Sequence, residues 1–178
     1  MSGYHGVMVY WLISILLLSA FPKGEVASPD INPVTDSLSF PVLNYEQLKP
    51  MLHYNNDTTY LVNFFASWCS PCVEELPYFL ALDSIYAAAP FKLILVSLDF
   101  KKDYLRKLEP FVRGRRLESY VVALDDNRAN FWIDDIDTSW SGAIPATLVY
   151  HGDRRTFYQK TFHHLDELKD IVKRFLNQ

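Results

Sequence analysis

The sequence predicts an α/β domain with a central mixed β-sheet flanked by helices. Three observations carry this. Apolar, β-branched and aromatic runs at 58–66, 91–98 and 120–124 alternate with segments of helical character. Two further strand-like runs flank Gly152-Asp153, a hairpin signal. The chain then closes on an amphipathic stretch.

The elements follow in order. Asn44 caps a short helix over 44–54. Thr58 to Ala66 (TTYLVNFFA) reads as a strand buried on both faces. Ser70 to Ala89 reads as a long helix, kinked at Pro77, which lacks an N–H and crowds the preceding turn. Phe91 to Leu98 is a second buried strand, residues 102–113 a basic amphipathic helix, and Tyr120 to Leu124 a third strand. A short helix over 127–133 precedes the hairpin strands 146–150 and 156–160. In the last helix, 164–176, Leu165, Leu168, Ile171, Val172 and Phe175 share one face.

The chain has 178 residues, 49% apolar and 21% charged, which excludes disorder and leaves room for one domain with a real core. Its net charge of −4 argues against nucleic-acid binding. No glycine-rich phosphate loop is present. Residues 7–21 (VMVYWLISILLLSAF) form an apolar run ended by Pro22. It is short for a spanning helix and fits the core of a secretory signal, cleaved after Ala20 or Ala27, or else a retained anchor. Either reading exports the rest of the chain. No cysteine lies near it to take a lipid. The expected organisation is therefore a signal or anchor over 1–27, a proline-containing linker over 28–38 and one domain over 39–178.

Both cysteines lie in one tetrapeptide, Cys69-Ser70-Pro71-Cys72. Random placement gives that separation about one time in 90. The tetrapeptide follows a predicted strand and opens a predicted helix. Cys69 at a helix N-terminus meets free N–H groups and the positive end of the helix dipole, which favour a thiolate. Cys72, three residues on, shares its face and can close a disulfide. Pro71 is tolerated in the first turn. Cys69 then attacks and Cys72 resolves the mixed disulfide. A static disulfide or half of a zinc site are the alternatives. His5, His53, His151, His163 and His164 show no ligand spacing to the pair, so no metal site and no cofactor are expected.

The segment LVNFFASWCSPCVEELPYF resembles the active-site segment of the thioredoxin superfamily, specifically its exported TlpA/ResA-type disulfide reductases. The likeness extends over residues 40–178. It implies a thioredoxin-like fold with an extra strand–helix insertion, which the looser middle, 100–135, would supply. Asn63 stands where thioredoxins carry a buried acid, as in the TlpA/ResA type. Glu75 matches a glutamate that tunes the cysteines of that type; its alternative is an ordinary surface glutamate. Gly142-Ala143-Ile144-Pro145-Ala146-Thr147 resembles the Ile-Pro-Thr loop, with Ala146 inserted, whose proline is cis and packs against the cysteines. Ile144 would then offer its backbone to an extended substrate. Trp68 matches the tryptophan that flanks the site and covers apolar substrate surface.

The resemblance implies an enzyme, an exported thiol–disulfide oxidoreductase of the periplasm or cell envelope. Ser70-Pro71 carries no charge to stabilise a thiolate, which favours a reductase over an oxidase. Expected partners are protein thiols and disulfides, including apocytochrome c thiols, and a membrane electron donor. The membrane enters otherwise only through an N-terminal anchor. Two other functions compete. A binding module or metallochaperone would keep the fold without turnover, although copper carriers on this scaffold space their cysteines by three residues. A thiol peroxidase would need Pro and Thr ahead of its cysteine, and Val62 to Cys69 lacks both. Trp132 and Trp140 frame an acidic stretch, 125–137, that nets −4, while residues 101–116 net +5. Such lopsided charge suits either docking or a solvated surface. Trp140, close before Pro145, is expected to line the same groove.

Overall fold

The computed structural model describes residues 38–176. The expected signal or anchor, and the linker up to residue 37, lie outside the described residues. Among the described residues no helix is long and apolar enough to cross a membrane.

Strand β1 (Val42–Leu43) leads into helix α1 (Tyr45–Leu48), which tightens into a 3-10 turn, Lys49–Leu52. Asn44 caps α1 reciprocally. Its Oδ1 accepts from the Gln47 N–H, and the Asn44 N–H donates to Gln47 Oε1, both at 3.0 Å. Then come β2 (Thr59–Phe65), α2 (Ser70–Ile85), β3 (Phe91–Ser97), α3 (Glu109–Arg115), β4 (Val121–Leu124), α4 (Ala129–Ile136), β5 (Ala146–His151), β6 (Arg154–Tyr158) and α5 (Leu165–Leu176).

The six strands form one sheet in the order β1-β4-β3-β2-β5-β6. β1, β4, β3 and β2 run parallel, while β5 and β6 are antiparallel additions. This is the mixed sheet the sequence predicts, and β2 lies near its centre with all seven residues buried. Alternation along β2 feeds two cores. Leu61 and Phe65 pack with Leu76 and Phe79 of α2 and Leu168 and Val172 of α5. Val62 and Phe64 pack with Tyr45, Leu48, Trp132 and Leu148 on the other face.

Several expected boundaries change. The strand β1 is too short to leave a sequence signal. Helix α2 runs through Pro77 but ends at Ile85, four residues short of the expected Ala89. The basic helix expected over 102–113 is three pieces: a 3-10 turn at Lys101–Asp103, a π-turn at Tyr104–Leu108, and α3. Pro110 donates no N–H, so the regular α-bond to the Arg106 carbonyl is missing. The wider turn keeps Tyr104 and Leu108 buried together. Helix α4 starts two residues later than expected and runs to Ile136. The hairpin turn is only Gly152-Asp153, so β6 starts at Arg154 rather than at Thr156. Gly152 takes a positive φ of 55° there.

Candidate functional site

The site forms where β2 ends. Ala66, Ser67 and Trp68 connect β2 to α2, and Cys69 is the N-cap residue of α2. The Cys69 N–H donates to the Ala66 carbonyl at 3.0 Å, which tightens the turn. Asp99, buried just after β3, holds that turn from the side. It accepts from the Ser67 N–H at 2.8 Å, from the Ser67 hydroxyl and from the Ser97 hydroxyl. The turn is thereby fixed to the neighbouring strand, and Phe100 is set beside Trp68. The two rings lie near parallel, with centroids 6.3 Å apart.

Cys69 and Cys72 are joined, with S–S 2.03 Å and Cα–Cα 5.3 Å. Cys69 keeps 6% of its surface exposed and Cys72 none. The Ile144–Pro145 bond is cis. The Ile144 carbonyl oxygen lies 3.9 Å from Cys69 Sγ, so the loop before β5 faces the disulfide. Gly142 has a φ of 84°, and a Cβ there would sit 2.9 Å from Ile133 Cδ1, so the loop needs glycine at that point. The sequence-predicted Cys69, Cys72, Ile144, Pro145 and Trp68 thus converge on one face. Trp68 is 54% exposed beside the pair.

Trp140 does not line that groove. It is buried, packs among Phe64, Trp132 and Phe157, and donates its indole N–H to the Ala143 carbonyl at 2.8 Å. It braces the Pro145 loop from the core side. The apolar faces of α4 and β2 draw it inward, which sequence distance from Pro145 does not reveal.

Glu75 is not a surface glutamate. It is fully buried one helical turn beyond Cys72. Its Oε1 accepts from Asn63 Nδ2 at 3.0 Å, and its Oε2 accepts from the Phe162 N–H at 2.8 Å. Asn63 also donates to Thr147 Oγ1 at 3.1 Å, directly across the β2–β5 pairing. Burial raises the Glu75 carboxyl from 4.5 to about 7, and the two hydrogen bonds only partly oppose it. A carboxyl held there exchanges a proton near neutral pH. Asn63 Oδ1 is buried without a partner. Phe162 and Asp99 are contributors that the sequence does not reveal, nor does it reveal the bond from Asn63 to Thr147. Thr147 and Phe162 are 72 residues or more from Glu75, beyond any local pattern.

No family model matches the chain. It is 29% identical over 65 residues to the sporulation thiol-disulfide oxidoreductase A of Bacillus subtilis. That match spans 36% of this chain and 39% of the relative's length. Among solved structures it resembles a thiol:disulfide interchange protein from Chlorobium tepidum, with TM-score 0.50 and 20% identity over 67% of this chain and 81% of that one. It also resembles a secreted Mycobacterium tuberculosis disulfide oxidoreductase, with TM-score 0.51 and 18% identity over 67% and 83%. The chain thus shares the thioredoxin-like fold of these solved proteins, and over 65 residues it is similar in sequence to a thiol-disulfide oxidoreductase.

Proposed function

We propose that this protein is an exported thiol–disulfide oxidoreductase that works as a disulfide reductase through Cys69 and Cys72. The observation that carries the proposal is the closed Cys69–Cys72 pair at the N-terminus of α2, with Cys69 slightly exposed and Cys72 fully buried. In the reduced protein, the Cys69 thiolate is favoured by the N–H groups of the first turn. It attacks a substrate disulfide, forms a mixed disulfide and releases one substrate thiolate, which takes a proton. The Cys72 thiolate then attacks Cys69 Sγ and releases the second substrate thiolate. Two electrons have passed to the substrate, and the protein is left as the disulfide.

The surrounding groups divide the remaining tasks. Ile144 offers backbone to an extended substrate beside Cys69, Pro145 shapes that loop, and Trp68 covers apolar substrate surface. Glu75 takes the proton that Cys72 must lose before it resolves the mixed disulfide. The uncharged Ser70-Pro71 dipeptide favours the reducing direction. Export rests on the apolar run 7–21 and agrees with the secreted nature of the Mycobacterium tuberculosis oxidoreductase. An exported reductase needs electrons from a membrane carrier, and its substrates are envelope protein disulfides, apocytochrome c among them.

Trapping tests the assignment. With Cys72→Ser, Cys69 should hold a substrate as a stable mixed disulfide that dithiothreitol releases. With Cys69→Ser, no adduct should form. Adducts on Cys72, or none on either variant, would overturn the division of roles. Absence of any thiol exchange by the wild type would leave a binding module in place of an enzyme.

A further inference from the structure

We propose that the basic and aromatic groove beside Cys69 docks an acidic segment next to the reacting disulfide of a protein substrate. The proposal rests on the redox reading above and names the substrate class. The groove has a volume of about 480 Å³ and is lined by Trp68, Phe100, Lys102, Asp103, Arg106 and Lys107. Trp68 is the residue before Cys69, so the groove begins where the chemistry takes place. Phe100 is 60% exposed, unusual for a phenylalanine, and stacks beside the Trp68 ring, so that the two give the groove an apolar shelf.

Charge decides what the shelf takes. Asp103 is buried and its carboxylate is already engaged by Lys107 at 3.1 Å. Lys102 and Arg106 are left facing the groove. Lys102 holds its ammonium 5.5 Å from the Phe100 ring centre. Arg106 has no carboxylate partner among the described residues. These cations belong to the segment 101–116, which nets +5 in a chain that nets −4 overall. The groove itself holds three of these cations, Lys102, Arg106 and Lys107, against the single carboxylate of Asp103, so it is locally positive.

The shape is fixed by the fold. The Asp99 bonds to Ser67 lock the cysteine turn to the segment that carries Phe100 and Lys102. The broken helix then turns Arg106 outward and Tyr104 inward. A peptide extended over Cys69 advances about 3.3 Å per residue. The acidic side chain of such a segment pairs with Lys102 or Arg106, and an apolar neighbour rests on the shelf.

The test uses the full chain, reduced with dithiothreitol and freed of excess reductant. Single-turnover rates are measured against three disulfides: a peptide with Asp and Glu flanking its cysteine, the same peptide with Lys in their place, and neutral hydroxyethyl disulfide. At low salt the acidic peptide should react about tenfold faster than the basic one, and the ratio should fall toward one at high ionic strength. In the double variant Lys102→Glu, Arg106→Glu the order should reverse, while the rate with hydroxyethyl disulfide stays unchanged. Equal rates for the two peptides, or a preference that survives the double substitution, would overturn the proposal. So would loss of binding to anionic phospholipid vesicles in the variant without any change in peptide preference, which would assign the groove to a membrane surface. Failure of the wild type to reduce even hydroxyethyl disulfide would instead sink the redox reading.

Discussion

Replacing Glu75 with glutamine removes the one buried carboxyl next to Cys72. Burial raises that carboxyl from 4.5 to about 7. In the unfolded chain the group ionises near its ordinary value. Between the two values the unfolded state releases a proton that the native state keeps, so stability falls as pH rises. Stability is undiminished below about 4.5, and the loss is complete once the pH passes about 7. At about 1.4 kcal/mol for each tenfold change in acidity, the total is about 3 kcal/mol. Glu75 has no exposed surface, so solvent screening does not reduce this figure much. Glutamine keeps the shape. Its oxygen can accept from the Phe162 N–H, and its amide can donate to Asn63 if the Asn63 side chain turns over. That turn brings the unpartnered Asn63 Oδ1 into use but leaves Asn63 Nδ2 in the unpartnered position, so the gain below is an upper bound. Glu75→Gln should therefore be more stable than the wild type at pH 8, by up to about 3 kcal/mol, and should gain nothing at pH 4. Urea unfolding of the oxidised proteins at both pH values measures the difference. Parallel stability curves from pH 4 to 8 would refute the buried, proton-holding role given to Glu75.

Two other substitutions probe the scaffold. Asp99→Ala leaves the Ser67 N–H and the Ser67 and Ser97 hydroxyls without their acceptor, and should cost about 2–4 kcal/mol in thermal or urea unfolding. It should also change Trp68 fluorescence, because Trp68 and Phe100 lose their fixed spacing; an unchanged spectrum and midpoint would count against that clamp. Asn63→Asp sets a second carboxyl against Glu75 Oε1, where the two cannot both ionise at close range. It should destabilise the domain by about 2 kcal/mol or more at pH 8 and less at pH 5; equal losses at both pH values would contradict the contact.

What was legible in the sequence was what local pattern encodes. The apolar runs of β2 and β3 and the amphipathic face of α5 mark themselves by periodicity. The cysteine tetrapeptide marks the start of α2. The cis bond before Pro145 came from a family resemblance and not from the residues alone. What was illegible depends on distant partners or on competing local effects. Glu75 is singled out only by the family resemblance; by local pattern it is any helix glutamate, and its burial depends on Phe162 and Asn63. Trp140 is drawn into the core by Phe64 and Phe157, which no window around Pro145 contains. The basic segment has a helical charge pattern, but Pro110 and the need to bury Tyr104 and Leu108 break it into three turns. Those breaks shape the groove beside Cys69.

The central claim is that Cys69 and Cys72 form a reducing redox pair. Its most direct test is the reduction potential of the pair, set by equilibration with dithiothreitol or glutathione and read by counting free thiols by mass spectrometry. The account predicts a value near that of thioredoxin, about −270 mV or lower. A value near −120 mV would contradict it and make the protein an oxidase.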